Sequence, residues 1–295
     1  GDKYQTIAES NRIYQKPISP VRGFIYDRNG TLLAENIVQR DLYVTPAYIE
    51  DSAETILKLS NLLDVPYELL DENFSRGVKK VKKFDSFPLV KALNEEQIAK
   101  AKVNLDSISG IEVKATLKRY VLHEKTLAHV LGYVGDISSD DIRRDKLLAD
   151  LQNTQIGKTG IEKEFDYVLR GKPGIQTQER DVKGKLVRIL DTQGAEDGKD
   201  IYLTIDQKLQ DHLFKLFENR RGALVALEPK TGLVRALISS PSFNPNILNS
   251  IVDTDEVESL FSNKESPIFN RAISGQYPPA STLKPFVGLA AIENE

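Results

Sequence analysis

The chain of 295 residues has room for about two domains of ~100–200 residues each. Its composition, 40% hydrophobic and 28% charged, is typical of a globular protein and argues against a disordered or integral membrane chain. The 40 Lys and Arg residues nearly balance the 43 Asp and Glu residues, so no basic excess points to a nucleic-acid partner. Because cysteine is absent, disulfides, thiolate nucleophiles, zinc–thiolate sites and iron–sulfur clusters are excluded.

The first segment predicts a short helix followed by β-structure. Residues Asp2–Ile13 have loosely helical apolar spacing. Arg22–Tyr26 predicts a strand, and Asp27–Gly30 predicts a hairpin turn because its Asn-Gly pair tolerates positive φ. We expect the return strand at Thr31–Ala34 and a third strand at Asp41–Val44.

Between about Pro46 and Gly110 the pattern predicts helices. Ala53–Leu63 is amphipathic, and a second short helix is expected at Tyr67–Phe74. A third is predicted over Glu95–Val103, with Asn94 as its N-cap and two glutamates in its first turn.

Strands and helices alternate from there to a glycine-rich linker. The predicted elements are strands at Ile111–Tyr120 and His129–Val134, helices at Ser138–Asp150 and Gly157–Arg170, and a hairpin of Ile175–Arg180 with Leu186–Leu190 around Lys183-Gly184. Gly194–Gly198 is the predicted linker, which places a domain boundary near residue 199. The elements expected after it are a strand at Ile201–Ile205, a helix at Gln207–Asn219, and strands at Ala223–Leu227 and Leu233–Ile238.

The segment around Ser281 and Lys284 is the strongest candidate for chemistry. Two prolines precede it and the apolar run Val287–Ile292 predicts a helix after it, so Ser281 is expected at or near a helix N-terminus. Residues three apart lie on one helical face, and a desolvated, neutral lysine there can take the proton of the serine hydroxyl. Pro285 predicts a kinked or irregular start to the helix.

The three histidines, His123, His129 and His212, lie in no triad or metal-ligand motif. Taken alone, Ser-x-x-Lys is weak, since about one match is expected by chance in a chain this long. The tetrapeptide by itself is equally compatible with a capping serine and an exposed lysine.

The residues around the tetrapeptide carry a specific resemblance. The matching stretches are Pro20–Gly23, Asp27–Gly30, Leu33–Asn36, Gly157–Glu162, Gly171–Gly174, Leu203–Asp206, Ser240–Asn246, Asn270–Ala272 and Gln276–Pro285. In this order they resemble class B penicillin-binding proteins, whose active-site serine lies in a Ser-x-x-Lys motif. Ala280 stands where the family usually has glycine.

Two further family motifs, Ser-x-Asn and Lys-Thr/Ser-Gly, follow the serine at a distance that this chain does not reach. Lys158–Gly160 and Lys230–Gly232 spell the second motif but precede Ser281, and we interpret both as unrelated to the active site. Gln152 stands where a phosphate-binding loop would need glycine.

The resemblance implies a multi-domain α+β protein. Residues 1–199 would form an elongated β-rich pedestal, and a mobile helical insertion at about 46–110, here called the head, would belong to it. Residues 200–295 would begin an α/β transpeptidase domain of the β-lactamase-like kind, truncated after the Ser-x-x-Lys motif.

The resemblance also implies the activity of a serine-type D-Ala-D-Ala transpeptidase or carboxypeptidase that crosslinks peptidoglycan stem peptides and is acylated by β-lactams. Ser281 would be the acyl nucleophile and Lys284 the general base. The resemblance implies no cofactor or metal for the chemistry. Some relatives have a zinc site in the transpeptidase domain, and the ligands of such a site would lie beyond Glu295.

Its implied partners are a membrane glycosyltransferase of the elongation machinery and a scaffold protein, both contacting the pedestal. A single N-terminal helix would anchor the protein in the bacterial inner membrane with the chain in the periplasm. The chain begins at Gly1, so we expect a fragment cut just after that helix.

Two other functions stay open. A β-lactamase or penicillin sensor would share the Ser-x-x-Lys motif but would not need the Arg22–Asn36 stretch. A non-catalytic pedestal or interaction module would fit the truncated form, although Ser281 and Lys284 are intact.

Overall fold

The computed structural model describes residues 13–105, 108–146, 148, 155–181, 186–217, 220–249 and 254–294. The helix predicted over Asp2–Ile13 lies outside these residues except for Ile13, which begins a strand, and the predicted turn at Lys183-Gly184 also lies outside. The strands are β1 (Ile13–Ile18), β2 (Ile25–Tyr26), β3 (Leu32–Val44), β4 (Phe87–Val90), β5 (Ile111–Val121), β6 (Val134–Asp136), β7 (Gln155–Gly157), β8 (Gly174–Arg180), β9 (Leu186–Gln193), β10 (Ile201–Tyr202), β11 (Gly222–Leu227) and β12 (Val234–Ser240).

The described α-helices lie mainly in the head and in the second half of the chain. They are α1 (Ser52–Leu63), α2 (Tyr67–Val78), α3 (Glu95–Asn104), α4 (Glu124–Leu131), α5 (Ser139–Arg144), α6 (Gly160–Glu164), α7 (Asp166–Leu169), α8 (Gln207–Leu216), α9 (Thr254–Ser262), α10 (Arg271–Ser274) and α11 (Lys284–Glu293). Among these helices, none has both the length and the apolar character needed to cross a bilayer. The predicted mixed α+β class is confirmed.

The long strand β3 organises the largest sheet. It pairs antiparallel with β5 from Ala34 to Val44, while β2 and β4 pair with its two opposite ends. The prediction of two separate strands, Thr31–Ala34 and Asp41–Val44, was therefore wrong. The polar residues between them gave no strand signal, but the continuous ladder to β5 satisfies their backbone groups.

The predicted hairpin turn between β2 and β3 is confirmed. Gly30 has φ +82°, and the Asp27 carboxylate accepts hydrogen bonds from the backbone N–H of Asn29 (2.7 Å) and Thr31 (2.8 Å). The same carboxylate accepts the N–H of Gln207 at the start of α8 (3.2 Å). Burial raises the pKa of Asp27, but these bonds outweigh it and hold that pKa below its ordinary value.

The head has its own hydrophobic core and is not purely helical. The helices α1 to α3 occur where the pattern predicts them, and Asn94 forms a reciprocal capping box with Gln97. The strand β4, inside the segment expected to be helical, pairs with the end of β3. Because β3 and β5 continue from the pedestal into the head core through Leu42 and Ile111, the head is an extension of the pedestal sheet.

Three other predicted elements differ from the structure. The first three residues of the predicted strand His129–Val134 form the end of α4, where Leu127 and Leu131 are buried one turn apart, and only Val134 begins a strand, β6. A six-residue window of apolar residues does not distinguish a strand from a short helix. The predicted helix Gly157–Arg170 is broken into α6 and α7 at Phe165, and only Ile201–Tyr202 of the predicted strand Ile201–Ile205 forms β10.

The strand β10 pairs in parallel with β2 of the large sheet, although it lies after the predicted boundary near residue 199. The remaining described sheets are β1–β8–β9, β6–β7 and β11–β12. The two hairpins β8–β9 and β11–β12 confirm the predicted strand pairs. The boundary itself stays a prediction.

A buried ion cluster holds the pedestal together. The Glu162 carboxylate on α6 accepts hydrogen bonds from Arg22 Nε (2.7 Å) and from Arg119 Nε on β5 (2.6 Å), and it is fully buried. Arg22 also donates to Asp166 Oδ1 on α7 (2.9 Å). The sequence-distant motifs around residues 22 and 162 are thus parts of one charge-paired contact.

We expect Glu162→Gln to lower the free energy of unfolding by about 3–5 kcal/mol, because it removes the buried carboxylate charge that Arg119 and Arg22 share and leaves Arg22 with Asp166, at nearly constant volume. Urea denaturation of the two proteins measures the difference. The control is Glu196→Gln: Glu196 pairs with Lys172 in solvent, so its loss should change stability little. Equal stability losses in the two variants would contradict the importance of the buried cluster.

Candidate active site

The predicted nucleophile and base lie in successive short elements. Ser281 is in a 3₁₀ turn over Ala280–Leu283, and Lys284 is the first residue of α11. The backbone N–H of Lys284 donates to the carbonyl oxygen of Ser281, which places the two residues one turn apart. The irregular helix start predicted from Pro285 is present as this 3₁₀ turn.

The turn before Ser281 has an unusual backbone. Ala280 has φ +46°, in the left-handed region that costs an L-residue with a Cβ about 1–2 kcal/mol. This is the position at which Ala280 replaces the usual glycine of the resemblance. The N–H (3.1 Å) and hydroxyl groups of Thr282 both donate to the carbonyl oxygen of Pro279 and stabilise the turn.

Ser281 and Lys284 are both exposed, as is the whole of α11. The apolar residues of this helix, Phe286, Val287, Leu289 and Ile292, are each at least 59% exposed. The described residues therefore place serine and lysine one turn apart but do not remove the lysine from water. The catalytic roles of both residues stay predictions.

The segment leading to Ser281 is held at α10. The Asn270 side chain caps this helix, accepting from the N–H groups of Ala272 (3.1 Å) and Ile273 (3.3 Å). Its amide nitrogen donates to the carbonyl oxygen of His129 in the last turn of α4 (3.1 Å). A carbonyl in the last turn of a helix has no partner within the helix. The Asn270 side chain therefore gives a donor to the His129 carbonyl at the end of α4 and an acceptor to the first N–H groups of α10.

The buried side chain of Arg271 closes the loop before α10. Its guanidinium donates to the carbonyl oxygens of Glu265 (2.5 Å), Ser266 (3.0 Å) and Phe269 (3.3 Å), and its backbone N–H donates to Ser239 Oγ on β12 (2.9 Å). The loop is therefore tied both to itself and to the β11–β12 hairpin.

The buried side-chain amides of Asn246 and Gln210 also join the residues after 206 to the pedestal. Asn246 makes a reciprocal pair with the backbone of Val121 at the end of β5, with both distances 2.9 Å. Gln210 on α8 donates to the carbonyl oxygens of Thr126 and Leu237, each at 2.7 Å. No motif predicted a role for Gln210; only its burial in the folded chain shows it.

Two of the histidines, His123 and His129, lie at this contact between pedestal residues 121–129 and the residues after 206, here called the junction. His129 is buried against the edge of Phe243, with ring centroids 5.4 Å apart. Burial lowers the pKa of His129 to about 4, assisted by the positive charge of Arg271 and opposed by the backbone of Pro241 and Pro267. His123 lies 3.3 Å from Asp211, and within the described residues no group of acidic and histidine side chains could hold a metal.

The two Lys-Thr-Gly tripeptides have other structural roles. Lys158 pairs with Asp141, and Gly160 has φ +58° at a position where a Cβ would lie 2.7 Å from the backbone of Leu131. Lys230–Gly232 lies in the β11–β12 turn, where Gly232 has φ +74°. Both observations agree with their interpretation as unrelated to the active site.

Comparison with protein families gives two matches. Residues 17–203 match the family described as penicillin-binding protein dimerisation domain, and residues 222–295 match the penicillin-binding protein transpeptidase domain.

Curated relatives match almost all of this chain but less than half of their own length. Peptidoglycan D,D-transpeptidase MrdA of Haemophilus influenzae is 37% identical over 98% of this chain and 45% of the relative. The Escherichia coli K12 protein of the same name is also 37% identical, over 98% and 46%. Penicillin-binding protein 3 of Bacillus subtilis is 30% identical over 99% and 42%.

The fold is similar to solved structures from Helicobacter pylori. A complex between penicillin-binding protein PBP2 and MreC matches 96% of this chain and 53% of the solved chain, with a TM-score of 0.78 and 27% identity. PBP2 alone matches with a TM-score of 0.73. This chain thus spans about half the length of the proteins it matches.

Proposed function

This chain belongs to the penicillin-binding proteins, and we propose that it carries the acylating serine and lysine of a peptidoglycan D,D-transpeptidase. The observation that supports the proposal most directly is the Ser281–Lys284 turn within the transpeptidase match. The curated relatives named peptidoglycan D,D-transpeptidase include this part of the chain in their alignment.

The proposed reaction proceeds through an acyl-serine. Ser281 Oγ bonds to the carbonyl carbon of the penultimate D-Ala of a stem peptide while Lys284 takes the hydroxyl proton. The tetrahedral intermediate collapses, the terminal D-Ala leaves as an amine, and the proton passes to that amine. An amine of a neighbouring stem peptide then attacks the ester, forms the crosslink and frees the serine.

The developing oxyanion needs fixed hydrogen-bond donors. The backbone N–H of Ser281 is one candidate, and a second would come from a strand beyond residue 295. Each such donor contributes about 3–4 kcal/mol in comparable enzymes. A β-lactam would acylate Ser281 in the same way, but its leaving group stays attached through the opened ring, so the ester would hydrolyse slowly.

The exposed apolar helix α11 agrees with this proposal. A helix that is apolar on all sides is stable where it is buried. We propose that the rest of the transpeptidase domain, which the relatives have, covers α11 and removes Lys284 from water. The acylation itself needs no metal or organic cofactor; a zinc site beyond residue 295 stays a prediction.

We expect a fluorescent penicillin to label Ser281 covalently in the full-length protein, because this serine is in the only Ser-x-x-Lys motif of the chain. Ser281→Ala should abolish labelling and leave the thermal unfolding midpoint nearly unchanged, since it removes a single oxygen atom and the Ser281 side chain makes no hydrogen bond within the described residues that the fold depends on. Mass spectrometry of the labelled peptide locates the adduct. An adduct on another serine would refute the assignment.

We expect Lys284→Arg to slow acylation by about 10²-fold or more, because arginine keeps the positive charge but cannot accept the proton. The rate of penicillin labelling measures this, with Lys264→Arg as the control on an exposed lysine outside the motif. Near-normal acylation of the Lys284 variant would show that another group is the base.

The proposed cellular setting is the periplasmic face of the bacterial inner membrane, with an anchoring helix ahead of residue 1. A polymerising glycosyltransferase is the proposed pedestal partner. The two alternatives are less favoured: the dimerisation-domain match over residues 17–203 is unnecessary for a β-lactamase or sensor, and a non-catalytic module would not need Ser281 and Lys284.

We also propose that the head binds a scaffold protein of the elongation machinery. A similar solved structure is a complex of PBP2 with MreC, which supports a partner of this kind. The outer face of α1 offers a suitable surface, because Leu57 is exposed between Glu54 and Lys58, which pair at 2.7 Å.

We expect the double variant Glu54→Lys with Lys58→Glu to keep penicillin labelling but to fail to support rod-shaped growth. The swap reverses the charges of the surface while preserving an i,i+4 pair, so α1 should stay folded at a cost of only a few tenths of a kcal/mol. The control swaps Glu96 and Lys100 on α3, a pair of the same spacing. Normal cell shape with the α1 variant would exclude this surface as the docking site.

A further inference from the structure

Three carboxamide side chains from three different elements all bind the backbone of one short pedestal segment. Asn246 binds Val121, Gln210 binds Thr126, and Asn270 binds His129. These backbone groups lie at the end of β5 and on one face of α4, while Leu127 and Leu131 of the same helix pack into the pedestal core. Side-chain hydrogen bonds of this kind to backbone groups constrain geometry more than apolar packing does, because each has a direction and a short range.

Asn270 differs from the other two in its place along the chain. It lies eleven residues before Ser281, at the first turn of the helix α10 that leads to the nucleophile. Among the described residues, Asn270 and Arg271 make the last hydrogen bonds to other elements before Ser281. After them, the bonds of residues 272–283 are local to the turn.

The two ends of the Asn270 carboxamide bind different elements. Its carbonyl oxygen caps α10 and sets the direction of that helix. Its amide nitrogen fixes the cap to the His129 carbonyl, and therefore to the pedestal. Arg271 donates to three carbonyl oxygens of the preceding loop, so the loop cannot change its conformation without breaking these bonds.

We propose that Asn270 is a positioning residue through which the pedestal helix α4 sets the placement of Ser281. The inference rests on the proposed acylation by Ser281. Reacting atoms must be held near 3–3.5 Å, and a displacement of about 1 Å can cost about 10²-fold in rate. A shift of α10 relative to α4 moves the start of the segment that carries the serine hydroxyl.

The test uses the full-length protein and variants that keep the cap of α10 but lose the hydrogen bond to His129. Asn270→Ser and Asn270→Asp both keep a capping oxygen, but neither can donate to the His129 carbonyl, because serine is too short and aspartate has no N–H. The time course of acylation by a fluorescent penicillin gives the limiting rate at saturation and the half-saturating concentration. We expect the limiting rate to fall about tenfold or more in both variants, with the half-saturating concentration changed by less than about twofold.

The matched control is Asn246→Ser, which removes a buried amide link to the same pedestal segment 35 residues before Ser281. It should lower the thermal midpoint and leave the limiting rate unchanged. Wild-type rates in both Asn270 variants, or an equal loss of rate in Asn246→Ser, would overturn the positioning role. A wild-type protein that is not labelled at Ser281 would instead refute the proposed function, and the positioning role with it.

Discussion

The rest of the structure depends on one buried carboxylate. Glu162 lies between Arg22 and Arg119, so a helix, the chain ahead of β2 and the longest strand pair all meet at a single charge. Leaving a buried charge without its partners would lower the free energy of unfolding by several kcal/mol. Each of these elements alone would have little stability. The cluster therefore permits little variation in how these three segments are arranged.

The β3–β5 pair extends this arrangement in both directions. One end reaches the head core through Leu42, and the other end carries Arg119 opposite Asn36 and reaches Val121 beside the residues after 206. The mobility that the resemblance implies for the head stays a prediction. Because β3 and β5 are continuous strands, the head can move only if this strand pair bends, since breaking the ladder would leave backbone groups unpaired. A partner bound to the head would therefore act on the same strands that lead to the junction.

The junction contains three side-chain amides bonded to backbone groups, those of Asn246, Gln210 and Asn270. Such contacts are effective only when complete, since a half-satisfied buried network is worse than an apolar one. Here α4 supplies the carbonyls and the second half of the chain supplies the amides, with the neutral ring of His129 filling the space against Phe243. Ser281 itself lies in an exposed turn. The hydrogen bonds that hold the segment before the nucleophile are therefore those of Asn270 and Arg271 at the junction, not bonds of the serine.

The sequence by itself determined the local features whose causes lie within a few residues. The Asn-Gly turn at residues 29–30, the capped helices of the head and the one-turn spacing of Ser281 and Lys284 were all predictable, because turn and cap chemistry acts over short range. The ordered motifs also identified the family. Only the tertiary structure joined Thr31–Ala34 and Asp41–Val44 into one strand, made His129 part of a helix and gave Gln210 and Asn270 their partners. These outcomes depend on which distant backbone groups come within about 3 Å of each other, and periodicity along the chain contains no information about that.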